Sequence, residues 1–181
     1  MAADIRPARA SDVDALLAIE NAVFQTDRLS GRSFRRLIGS PSAVVLVADT
    51  GKRVAGYAVL LFRAGSTGAR LYSIAAAPDH SGQGIGRALM AAAEREAARR
   101  GRSSLRLEVR EDNPRAIAIY RRAGFEPTGR QPDYYKDGIA AFRMKKELGG
   151  EAVRPARRGG KQTLLARARL AGLADKIPGR A

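Results

Sequence analysis

The stretch from Ala69 to Arg110 constrains the fold of this 181-residue chain more than any other. An apolar run from Ala69 to Ala77 stops at Pro78, and glycines then fall at every second position: Gly82, Gly84 and Gly86. Ile85, Ala88, Leu89, Ala92 and Glu96 follow at helical spacing, in Ala-rich filling, up to Gly101. Ser103 to Arg110 alternates strictly, with Leu105, Leu107 and Val109 on one face and Arg106, Glu108 and Arg110 on the other. Strand, glycine turn, crossover helix and strand in that order imply a parallel strand pair.

The turn itself carries chemistry. Alternate glycines remove bulky side chains, so the amides can approach a ligand closely. Amides at a helix start converge with the positive dipole end behind them, which suits a phosphate. Arg87 adds a fixed positive charge in the first turn. The glycines run G-x-G-x-G, unlike the dinucleotide fingerprint G-x-G-x-x-G, and no P-loop lysine follows. A plain strand-to-helix turn is the alternative reading.

Before this stretch, Ile5-Arg6-Pro7-Ala8 reads as an edge strand, because Pro7 cannot donate to a ladder. Ser11 is the expected N-cap of a helix through Val13, Leu16, Leu17, Val23 and Phe24, with Asp14 in the capping-box place. A second helix is expected over Ser33–Gly39. Ala43–Ala48, Val54–Phe62 and Ala69–Ala77 then read as three consecutive antiparallel strands. Downstream, Asn113-Pro114 has N-cap and N1 chemistry and opens a helix through Tyr120. Strands around Phe125–Gly129 and Ala140–Lys146 flank a loop holding Tyr134 and Tyr135.

Composition narrows the chemistry. With no cysteine there are no disulfides, thiolate metal sites or cysteine nucleophiles. A single histidine, His80, excludes a histidine cluster for zinc. The N-terminus lacks a signal pattern, and the longest apolar stretch is far short of the roughly 18 residues of a membrane span. A cytoplasmic protein without membrane contact is expected. The net charge is +15, and the segment from Gly149 onward holds eight Lys or Arg against two acids. That segment is punctuated by Gly149-Gly150, Pro155, Gly159-Gly160 and Pro178. Residues 1–148 are therefore expected to form the domain, and 149–181 a basic, disordered extension able to meet RNA, ribosomes or acidic surfaces. Leu164, Leu165, Leu170 and Leu173 allow a short basic amphipathic helix within it.

Ser81-Gly82-Gln83-Gly84-Ile85-Gly86 resembles the pyrophosphate loop of the GCN5-related N-acetyltransferases (GNAT), (Gln/Arg)-x-x-Gly-x-(Gly/Ala), with Ser81 departing at the first position. Leu107-Glu108-Val109-Arg110, Asn113 and Ala118-Ile119-Tyr120 resemble the ribosomal-protein alanine N-acetyltransferase branch, as do Tyr134-Tyr135 and Asp137-Gly138…Arg143-Met144. The resemblance spans about residues 4–148. It implies an α/β fold: a mixed, mostly antiparallel sheet with a splayed central parallel pair, flanked by helices. It implies acetyl-CoA as co-substrate, no metal, and an amine acceptor, favouring the N-terminal α-amine of a protein such as a ribosomal protein. Ile74, Ala75, Ala76, Gly82, Gln83, Gly84, Ile85, Gly86, Arg87 and Asn113 would hold the cofactor. Glu108 would be the general base and Tyr120 the general acid. The segment from Phe24 to Phe34 would help to shape the acceptor site, while Phe24 and Phe34 themselves are expected to pack in the core.

The residues suit those roles. An attacking amine must shed its ammonium proton, and a carboxylate on a sheet face can take it. An α-amine, with a pKa of roughly 8, is easier to deprotonate than lysine at roughly 10.4. A tyrosine hydroxyl can protonate the departing thiolate, and the lack of cysteine favours direct transfer in a ternary complex. Structural readings stand beside these: Glu108 as an ion-pair partner of Arg106 or Arg110, Tyr120 as core, Asn113 as a helix cap. Two other functions stand beside N-terminal acetylation: acetylation of a small-molecule amine, or a non-catalytic CoA-binding or ribosome-associated module.

Overall fold

The computed structural model describes residues 3–25 and 27–149. Of the extension expected over 149–181, all but Gly149 lies outside the described residues. The strands are β1 (Asp4–Pro7), β2 (Ala43–Asp49), β3 (Val54–Phe62), β4 (Gly68–Ala76), β5 (Ser104–Arg110), β6 (Glu126–Gln131) and β7 (Ala141–Glu147). The helices are α1 (Val13–Val23), α2 (Gly31–Ile38), α3 (Ile85–Arg99) and α4 (Pro114–Arg122). All seven strands form one sheet in the order β1-β2-β3-β4-β5-β7-β6. Every neighbouring pair is antiparallel except β4 and β5. Pro7 sits on the edge strand, as its missing N–H requires.

Strand alternation assigns the two faces. Leu46, Ala48, Ala58 and Leu60 pack with Leu89, Ala93 and Ala97 of α3 and with Tyr120 of α4. Val45, Val47, Tyr57 and Val59 point the other way, against Val13, Leu16 and Ile19 of α1 and Phe34 of α2. The sheet is thus covered on both sides, which explains why β2 and β3 read as near-continuous apolar runs.

The expected cap at Ser11 is not made. A 3-10 turn over Ala10–Asp12 precedes α1, and the Asp12 carboxylate accepts the Arg9 amide at 2.7 Å. The same carboxylate holds Arg6 through two hydrogen bonds of 2.8 and 3.0 Å. A carboxylate binding a guanidinium and an amide together outcompetes a neighbouring hydroxyl. The second helix begins two residues earlier than its apolar pattern, because the Ser30 hydroxyl caps the Ser33 amide at 3.1 Å.

Two features of β3 and β4 set where the sheet parts and where α3 starts. Parallel pairing is confined to Gly68–Arg70 with Ser104–Arg106; beyond it each strand pairs only with its outer neighbour. The register of β3 and β4 shifts there, with Val59 opposite Ser73 and Leu60 opposite Leu71, so Tyr72 is the extra residue of a bulge. A bulge bends its strand, and this one turns β4 away from β5 immediately after their last pair. The second feature is Gly56. A Cβ there would lie 2.7 Å from the Ala75 carbonyl oxygen and 2.7 Å from a methyl of Ile85, so only glycine lets the start of α3 press this closely on β3.

Candidate active site

The loop from Pro78 to Gly84 turns the chain from β4 into α3. Gly82 and Gly84 adopt φ of 76° and 78°, the left-handed region where other residues are strained. Gly84 is the N-cap of α3, and no side chain caps that helix. Its first amides therefore face outward, into a cleft of about 860 Å³.

Ile74, Ala75 and Ala76 of β4, Gly82, Gly84, Ile85, Gly86 and Arg87 around the turn, and Tyr120 of α4 all line this cleft. Arg87 makes no ion pair among the described residues, whereas Arg6, Arg70, Arg99, Arg100 and Arg110 all do. A Cβ at Gly82, Gly84 or Gly86 would meet nothing within 4 Å among the described residues, so none of these fills the space. Such a cradle, with uncapped amides and an unpaired cation, fits the diphosphate of a coenzyme A.

Tyr120 packs edge-on against Phe125 at 5.8 Å between ring centres and is 1% exposed. Its hydroxyl is buried with no hydrogen-bond partner among the described residues. Burial pushes its pKa well above the usual tyrosine value, with a smaller contribution from Tyr135. The group therefore keeps its proton and stands as a donor. A buried hydroxyl normally finds a partner, and this one has none among the described residues.

Glu108 lies elsewhere. Leu105, Leu107 and Val109 join the cluster under α3, so alternation turns Glu108 to the opposite face of β5. Its partner is Arg70 of β4, whose Nε donates to Oε2 at 3.0 Å, rather than either arginine of its own strand. Arg110 is engaged by Asp112 at 2.9 Å and Asp137 at 2.8 Å, and lies 4.9 Å over the Tyr135 ring. Gln83 and Asn113 are not among the residues lining the cleft. Gln83 Oε1 lies 3.0 Å from Nδ1 of His80, and the Asn113 side chain caps α4 by accepting the Ala116 amide at 3.2 Å.

Nothing in the sequence points to Arg70, and His80, which as a lone loop histidine reads as a surface or packing residue, lines the cleft with its Nε2 buried and unpartnered among the described residues. Arg70 reads as a solvent-facing strand position, and nothing in the pattern announces its partner.

A sequence profile described as the acetyltransferase (GNAT) domain matches residues 7–148. The chain belongs to the GNAT acetyltransferase family. Members of the GNAT family use acetyl-CoA. The chain is 34% identical over 121 residues to the N-alpha-acetyltransferase RimI of Mycobacterium tuberculosis, covering 65% of this chain and 74% of that one. It is also 34% identical over 142 residues to an uncharacterized Mycobacterium leprae protein, covering 76% of this chain but spanning only 38% of that protein's length. The crystal structure of the ribosomal-protein-S18-alanine N-acetyltransferase from Escherichia coli superposes with a TM-score of 0.72 at 28% identity. That superposition covers 83% of this chain and 98% of the other. In GNAT terms the seven-stranded sheet, with its one parallel pair, is the expected fold.

Proposed function

We propose that this chain transfers an acetyl group from acetyl-CoA to an amine, by direct transfer in a ternary complex, and that the preferred amine is a protein N-terminus such as that of a ribosomal protein. The Tyr120 hydroxyl carries this reading: a buried, protonated donor without a partner among the described residues, in the cleft rimmed by the Gly82–Gly86 turn. The names of the RimI relative and of the Escherichia coli structure support the choice of acceptor.

On this reading each residue has a task. Gly82, Gly84, Gly86 and Arg87 bind the diphosphate, with Gln83 bracing the turn through His80. The open edge of Ile74–Ala76 offers backbone groups to the pantetheine arm, and Asn113 fixes the start of α4 and with it Tyr120. Acetyl-CoA supplies the thioester carbonyl. Glu108, on the α1 and α2 face, takes the proton that the incoming amine must lose. Tyr120, on the α3 and α4 face, gives its proton to the departing thiolate. The splay between β4 and β5 is the opening through which the two faces meet. The formal charge of +15 disfavours polycationic acceptors such as polyamines. Residues 149–181 serve as a basic arm for ribosomal or other RNA in the cytoplasm.

Incubation with acetyl-CoA and a panel of N-terminal peptides, lysine peptides and polyamines, following thiol release, tests the proposal. Turnover highest with peptide α-amines supports it. A clear preference for polyamines or other small amines overturns the acceptor class. Acetyl-CoA binding without turnover on any amine would favour the non-catalytic module.

A further inference from the structure

Arg70 stands at a singular place. It is the last residue of β4 paired with β5, opposite Arg106, and the strands part immediately beyond it. Its guanidinium is 16% exposed and spans two groups from distant parts of the chain. Nε donates to Glu108 Oε2 at 3.0 Å, and Nη2 donates to the Tyr134 hydroxyl at 2.8 Å. The Tyr72 ring of the bulge lies 5.8 Å from the guanidinium carbon.

Tyr134 is itself a fixed point. Its amide and that of Tyr135 both donate to the Ile139 carbonyl, closing the β6–β7 loop on itself. Asp137 ties that loop to Arg110 of β5, and Lys136 ties it to Asp27 of the α1–α2 loop at 3.3 Å. Burial, ahead of the nearby Glu108 charge, raises the Tyr134 pKa, so its hydroxyl stays neutral beside the guanidinium.

Glu108, 12% exposed, has no side-chain partner among the described residues other than Arg70. One carboxylate oxygen is therefore held and the other, Oε1, is left unbonded. We infer that Arg70 is a positioning residue: bridging Glu108 to Tyr134, it fixes the carboxylate rotamer so that Oε1 faces the incoming amine at the splay. The inference rests on the reading of Glu108 as the base. A planar guanidinium suits the task because its fork of donors holds two acceptors at a set angle, which a lysine ammonium does not.

The test measures kcat and both KM values for Arg70→Gln, Arg70→Lys, Tyr134→Phe, Glu108→Gln and the Arg70→Gln/Glu108→Gln double variant. Each is assayed with the peptide that the wild type turns over fastest. Arg70→Gln is expected to lower kcat roughly 10²-fold, the loss that a small misplacement of a reacting group brings, with the KM for acetyl-CoA unchanged. Arg70→Lys recovers part of that loss, and Tyr134→Phe, which loosens one end of the bridge, loses less than Arg70→Gln. In the double variant the second substitution adds little to the first, because a clamp without a base has nothing to hold. Thermal unfolding of each variant separates a folding defect, and Tyr134→Phe and Arg70→Lys keep the test alive if Arg70→Gln does not fold. Full kcat in Arg70→Gln, or losses that multiply in the double variant, overturns the inference while leaving the base reading intact. Full kcat in Glu108→Gln overturns the base reading itself, and the inference with it.

Discussion

The Tyr57 hydroxyl on β3 donates to Oε2 of Glu20 on α1, while Oε1 of the same carboxylate accepts the Leu29 amide at 2.8 Å. Tyr57 is wholly buried and Glu20 is 2% exposed. A buried carboxylate thus fastens the loop between α1 and α2, within the segment expected to shape the acceptor site, to the centre of the sheet. Replacing Tyr57 by Phe leaves a buried acceptor short of a donor and is expected to cost about 1–3 kcal/mol in urea unfolding.

The alkaline limb of stability gives a second reading of that pair. Burial first, then the Glu20 charge, raises the Tyr57 pKa well above its ordinary value, and burial does the same for Tyr120. Each therefore contributes stability that is complete below the unfolded tyrosine value of about 10 and is lost as pH rises beyond it. Each buried tyrosine steepens the decline by up to about 1.4 kcal/mol per pH unit. Unfolding between pH 9 and 11 should show a shallower slope in Tyr57→Phe than in wild type. An identical slope would mean that the buried hydroxyl does not govern the limb.

Gly56→Ala should disturb the cleft from outside it. The added methyl meets the Ala75 carbonyl and Ile85 at 2.7 Å, and overpacking of this kind costs about 1–3 kcal/mol. Because Ile85 opens α3, the affinity for acetyl-CoA should fall as well. Calorimetric titration under conditions where the variant stays folded, showing unchanged affinity, would detach the cleft from the β3 contact.

Gly86→Glu probes the ligand rather than the fold. Its Cβ points into open space and its φ is not in the left-handed region, so the variant should unfold near the wild-type temperature. The acetyl-CoA-induced rise in melting temperature, which follows from binding to the native state alone, should disappear. A full shift in this variant would remove the glycine turn from the cofactor site.

Tyr120→Phe should separate stability from turnover. The hydroxyl makes no hydrogen bond among the described residues, so its removal relieves an unsatisfied buried group and leaves stability equal or higher. Acetyl-CoA binding should persist while kcat drops. Lower stability with unchanged kcat would make Tyr120 a packing residue only.

Glu108→Gln should lower kcat by roughly 10²–10⁴-fold, the range that a general base supplies. The deficit should narrow as pH rises past the α-amine value of roughly 8, where the acceptor sheds its proton unaided. A deficit independent of pH would point to a role other than proton removal.

Much of the architecture is legible in the residue pattern. Leu105, Leu107 and Val109 are buried and Arg106 is exposed, as strict alternation demands, and Asn113-Pro114 opens α4 with the cap its side chain can make. Gly101, at φ of 71°, follows α3 where a left-handed residue ends a helix. The glycine turn is equally plain, since only its backbone is needed and the spacing of its residues is local.

What the pattern withheld is partnership. Ser11 lost its cap to Asp12 because Arg6, on a strand, adds two bonds to that carboxylate. Glu20 occupies a helical position that reads as polar surface, yet it is buried because Tyr57, 37 residues away, reaches it. Glu108 bypasses the arginines of its own strand for Arg70, 38 residues distant, since the register of β4 on β5 carries that guanidinium alongside. The sequence alone determined which faces are apolar and where the glycine turn interrupts the strand-to-helix passage, because these depend on neighbours along the chain. Only the tertiary structure decided which oxygen of Glu108 is held, which hydroxyl is orphaned and where β4 leaves β5, because these depend on strand register, a one-residue bulge and contacts between segments far apart in the chain.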